Sequence, residues 1–105
     1  MTYKVVRAPL AQGEMARFAA YAADYSDDWA IEQFTRLNRV LSVDLAEAPY
    51  QWSYFYLTGA PFRAYLFRVG RRTQFWIIYT IDEETKTVNV LRFWNASRDP
   101  DTFEA

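Results

Sequence analysis

At 105 residues and 51% apolar composition, the chain can bury one core without metal ions or crosslinks, and 3 glycines with 4 prolines are too few for a linker or low-complexity tract. It holds no cysteine and no histidine, which rules out disulfides, thiol nucleophiles and thiolate or imidazole metal sites; neither a metal nor another cofactor is expected. A net charge of −1 argues against a simple nucleic-acid coat, and residues 1–105 read as a single domain.

The first strand is expected over Thr2–Arg7, a short β-branched stretch. Ala8-Pro9 ends it, and because proline is tolerated in a first helical turn, a helix is expected from about Leu10. Its apolar stripe is Ala11, Met15, Phe18, Ala22 and Tyr25, at helical spacing. Ser26-Asp27-Asp28 then supplies oxygen acceptors and negative charge for the N-terminus of a second helix. That helix carries Ala30, Phe34, Leu37, Leu41 and Leu45 and stops before Pro49, giving a helical hairpin joined by a link of about three residues.

From Tyr50 the pattern turns to β-rich runs: Gln51–Leu57, Phe62–Val69, Thr73–Ile81 and Thr87–Trp94. The breaks between them are too short for parallel crossovers, so an antiparallel meander is expected. Phe75-Trp76-Ile77-Ile78-Tyr79 is apolar on both faces and reads as a central strand covered on each side. The helices can cover one face. The other needs the C-terminal tail, a ligand, a partner chain, or the chain's own arginines and rings.

The charge is uneven. Residues 50–98 carry Arg63, Arg68, Arg71, Arg72, Lys86, Arg92 and Arg98 against Asp82, Glu83 and Glu84, and of the twelve cations only Lys4 and Lys86 are lysine. Arginine suits phosphates, carboxylates and aromatic stacking. The alternatives are a charged sheet edge that discourages aggregation, or intrachain ion pairs with Asp99, Asp101 or the 82–84 turn. Trp52, Tyr54, Phe55, Tyr56, Tyr65, Phe67, Phe75, Trp76, Phe93 and Trp94 crowd the same half. Most belong in the core, but one helical hairpin cannot bury them all, which leaves rings for a partner groove.

The order of strand, helical hairpin and then three to four antiparallel strands, an α+β fold, resembles the RelE/ParE superfamily of bacterial toxins, whose members pair with antitoxins. Three segments carry the resemblance: Ala30 to Leu45 followed by Pro49, Phe62 to Asp82 with its Tyr79-Thr80-Ile81-Asp82 step into an acidic turn, and Val88 to Pro100 as last strand and exit. The resemblance implies a toxin neutralised by a cognate antitoxin. Its target would be DNA gyrase, as for ParE-like members, or translated messenger RNA on the ribosome, as for RelE-like endonucleases. A decayed member that only binds a partner is a third reading.

Departures from the ribonuclease pattern favour the gyrase branch. Trp76 stands where that branch often has arginine, and Asn95 stands where many members have histidine. What survives of a catalytic set is Arg63, Tyr79, Arg92 and Arg98, with Tyr65 in addition. Arginine steadies a phosphate but is a poor base. The residues expected to bind target or antitoxin are Arg63, Tyr65, Arg68, Trp76, Trp94, Asn95 and Arg98, with Arg98 foremost. No stretch matches a signal peptide or approaches the roughly 20 apolar residues of a membrane span, so a soluble cytoplasmic protein is expected.

Overall fold

The computed structural model describes residues 2–54, 62–70 and 73–96. It is α+β: a first strand (Lys4–Arg7), a helical pair, then three more strands (Arg63–Arg68, Gln74–Asp82, Thr87–Asn95) that complete a four-stranded sheet in which the last strand lies between the first and the third. β1 (Lys4–Arg7) leads into α1 (Pro9–Tyr25), which opens on its proline as expected. The link to α2 (Asp27–Arg39) is a single residue. Ser26 closes α1 by donating its N–H to Ala22 O and caps α2 by accepting the Trp29 N–H on its hydroxyl oxygen at 3.3 Å.

Beyond Arg39 the helical path widens into one π turn (Val40–Asp44), tightens again in α3 (Leu45–Glu47), and ends before the Pro49–Gln51 3₁₀ turn. Residues four apart on an ideal helix drift by about 40° per step. The wide turn, closed by Leu45 N–H on Val40 O, takes up that drift, so Leu37, Val40, Leu41 and Leu45 are all buried. Tyr25 departs from its expected place in the core. It is the last residue of α1, 73% exposed, and rests edge-on against Trp29 at 5.2 Å.

The sheet is mixed rather than a four-run meander. β2 (Arg63–Arg68), β3 (Gln74–Asp82) and β4 (Thr87–Asn95) are antiparallel neighbours, but the fourth strand is β1, which runs parallel to β4 with Lys4 opposite Thr87 and Arg7 opposite Val90. The helices between β1 and β2 supply the long connection that parallel pairing requires. The expected run from Gln51 contributes only an isolated bridge, Tyr54 to Arg63, and its residues 55–57 lie outside the described residues. The β3–β4 turn is held by Asp82, whose carboxylate accepts the Glu84 N–H at 3.0 Å, and Lys86 takes φ 51° to complete it.

β3 is central, as expected, with Ile77, Ile78 and Tyr79 fully buried. One face meets the helices in the main core: Ala11, Met15 and Phe18 from α1, Leu37, Val40, Leu41 and Leu45 from the second helical stretch, and Phe67, Ile77, Tyr79, Val88, Val90 and Phe93 from the sheet. Each fully buried large side chain there contributes about 1.5–3 kcal/mol. A smaller cluster of Ala64, Ile78 and Trp94, with Phe62 and Trp76 against it, occupies the other face. Among the described residues no helix is long and apolar enough to cross a membrane.

A register shift in β4 decides which side chain goes where. Tyr79 pairs with Val90 but Ile78 pairs with Arg92, so Leu91 is an extra residue, a β-bulge. Val88, Val90 and Phe93 therefore all reach the helical core, at spacings of two and then three, while Arg92 and Trp94 are carried to the opposite face.

Candidate functional site

The described residues expected to form a site fall on two faces of the sheet. Side chains directly opposite in an antiparallel pair share a face, and Arg63 is opposite Tyr79 whereas Arg92 is opposite Ile78. Tyr79 belongs to the helical core and Ile78 to the opposite cluster. The two arginines thus flank β3 from opposite faces and cannot clamp one phosphate.

Each is also engaged within the chain. Arg63 Nη1 donates to Trp52 O at 2.7 Å, and the guanidinium lies over the rings of Tyr54 at 4.4 Å and Tyr50 at 5.1 Å. Tyr79 donates its buried hydroxyl to Pro49 O at 2.6 Å, and burial pushes its pKa up to about 12. Tyr65 lies on the Arg63 face, edge-on to Trp52 at 4.9 Å, and burial raises its pKa as well. Arg68, Trp76 and Trp94 share the opposite face; Arg68 is exposed, and Trp76 stands opposite Trp94. Asn95, opposite Phe75, sits at the end of β4. Arg98 lies outside the described residues.

Arg92 has the most developed set of partners. β1 stops pairing at Val90, so among the described strands none adjoins β4 from Leu91 onward on that side, and Glu14 of α1 takes the place. One Glu14 oxygen accepts from Arg92 Nε and the Phe93 N–H, both at 3.0 Å, and the other accepts from Arg92 Nη2 at 2.9 Å. The side chains are only 11% and 15% exposed, and the guanidinium also lies 4.8 Å from the Trp94 ring. Glu14 is an acid on a helix, a partner that sequence proximity did not suggest; Asp99 and Asp101 lie outside the described residues.

Beside this pair, between α1 and the ends of β3 and β4, lies a pocket of about 360 Å³. Glu14, Arg17, Phe18 and Tyr21 line it from one stripe of α1, and Thr73, Phe75, Phe93 and Asn95 from the sheet. Phe75 and Phe93 stack at 4.3 Å and 11°, with Phe18 against both at 5.1 and 5.7 Å. Glu14, Arg17 and Tyr21 were not singled out from the sequence. Their spacing of three and four residues along the flank of the Met15–Phe18–Ala22 stripe was the available signal.

At the far end of the sheet, Glu83 gathers Tyr3 (2.9 Å), Tyr50 (2.7 Å) and Lys86. Hydrogen bonds from Lys86, then Tyr50 and Tyr3, hold its carboxyl down at about 2, and the bond to Glu83 lifts Tyr50 to about 12. The cluster ties the β3–β4 turn to the first strand and the 3₁₀ turn. Both shifts move away from neutrality, the opposite of what acid–base catalysis requires.

No protein-family model matches this sequence, and no curated protein matches it.

Proposed function

We propose that this chain is the toxin member of a type II toxin–antitoxin pair, a cytoplasmic protein that works by gripping a target protein, with DNA gyrase the target that resemblance to ParE-like toxins implies. A cognate antitoxin would neutralise it. The resemblance in element order supports the toxin reading, and the α+β order of strand, helical pair and three antiparallel strands agrees with it.

The observation that carries binding over cutting is the division of Arg63 and Arg92 between opposite faces of β3, with Tyr79 tied to Pro49 O. Cleavage of RNA through its own 2′-hydroxyl needs a base, a leaving-group acid and cations converging on one phosphate. Here Arg63 and Tyr79 lie on one face and Arg92 on the other, and each of the three is bonded within the fold.

The test is to induce the chain alone in bacteria and follow growth, message integrity and the DNA-damage response together. Growth arrest with intact messages and induced damage signalling is the expected result. Arrest with cleaved messages would overturn the binding reading, and no arrest would reduce the chain to a partner-binding relative of such toxins.

A further inference from the structure

The pocket beside α1 has features of a small-molecule site that the toxin reading does not use. Its volume of about 360 Å³ falls in the range of roughly 300–1,000 Å³ typical of ligand pockets, and apolar surface with a few polar groups is the usual lining of such sites. Phe75, half-buried and backed by the stacked Phe93 and by Phe18, offers an aromatic wall. Tyr21, 59% exposed, stands at the α1 side, and Thr73 and Asn95 add a hydroxyl and an amide.

The charge at the rim fixes the sign of the ligand. Glu14 is spent on Arg92 and on the Phe93 N–H. Arg17, one turn further along α1, makes no hydrogen bond or ion pair among the described residues. Among the described residues the rim therefore carries one uncompensated cation next to an aromatic wall. We propose that this pocket binds a small aromatic acid, its ring against Phe75 and its carboxylate on the Arg17 guanidinium. The fork of an arginine matches a carboxylate with two parallel N–H donors, and the adjoining apolar wall strengthens that bond. The proposal is independent of what the protein does to a cell.

The experiment titrates the ¹⁵N-labelled chain with phenylacetate and, separately, with phenylacetamide, which keeps the ring and removes the charge. Saturable shifts of the Phe75 and Phe93 amides and of the Arg17 Nε–H are expected with the acid, and binding of the amide should be roughly tenfold weaker. In Arg17→Gln, an exposed substitution that leaves the fold intact, the acid should lose its advantage and bind only as well as the amide. Tyr21→Ala should weaken both ligands alike. The proposal is overturned if millimolar acid gives no saturable shift, if acid and amide bind equally to the unaltered chain, or if the shifts map elsewhere.

Discussion

Replacing Glu14 by alanine tests the central electrostatic feature of the fold. The carboxylate accepts two hydrogen bonds from the Arg92 guanidinium and one from the Phe93 N–H, all between 2.9 and 3.0 Å. Removing one partner of a fully buried ion pair costs about 3–5 kcal/mol, because the survivor is left charged and desolvated. Side-chain exposures of 11% and 15% allow some water to reach Arg92, and alanine favours the helix by a few tenths. The expected loss is therefore about 2–3 kcal/mol. Glu14→Gln keeps an oxygen for the Phe93 N–H but loses the charge, so about 1–2 kcal/mol is expected. Combining Glu14→Leu with Arg92→Met removes both charges, and the double variant should be more stable than the sum of the single losses by about 1–2 kcal/mol. Urea unfolding followed by circular dichroism and tryptophan fluorescence measures these differences, provided the m-value is unchanged. A Glu14→Ala loss within about 0.5 kcal/mol of zero, or strict additivity in the cycle, would show that the pair adds nothing to the fold.

Two further substitutions probe the opposite end. Glu83 titrates lower in the folded chain than in the unfolded one, so its contribution is full above the ordinary carboxylate pKa of about 4.5 and is lost as pH falls toward about 2; Glu83→Gln should lower stability at neutral pH and flatten that part of the acid-unfolding curve, the two chains converging toward pH 2. Tyr79→Phe strands the Pro49 carbonyl and should cost about 1–2 kcal/mol in the same urea assay. Growth arrest by the chain should survive that change, whereas a ribonuclease built on Tyr79 would lose its activity.

Local signals in the sequence were sufficient where the structure is local. Pro9 marks the start of α1, Ser26 the cap of α2, and Ala11, Met15, Phe18 and Ala22 the buried stripe, because each effect acts within a helical turn. The apolar run Phe75 to Tyr79 marked the central strand because two-sided burial removes alternation. What periodicity could not carry is pairing at a distance. The parallel match of Lys4 with Thr87 depends on where the helices return the chain, and the partner of Arg92 depends on where Glu14 comes to rest. The bulge at Leu91 left a trace in the apolar spacing 88, 90, 93, but without a paired strand that spacing has no register to be measured against.

The abundance of arginine and aromatic rings in the second half suggested a platform for a partner or for RNA. In the fold much of it is self-satisfied: Arg63 lies over Tyr54 and Tyr50, Arg92 over Trp94, and Arg36, from the helices, over Phe67. Such contacts are worth about 0.5–1 kcal/mol when exposed and about 2 when desolvated. They use the ring face and guanidinium plane that a nucleobase or phosphate would otherwise occupy. Among the described residues, composition therefore overstates the binding surface of this half. One place where charge and ring surface meet lies along α1, at Arg17 beside Phe75, where the sequence showed only a helix flank. Recognition by this chain should accordingly be sought on the helix side of the sheet's end, and variants at Arg17 should alter ligand discrimination while those at Arg63 alter stability.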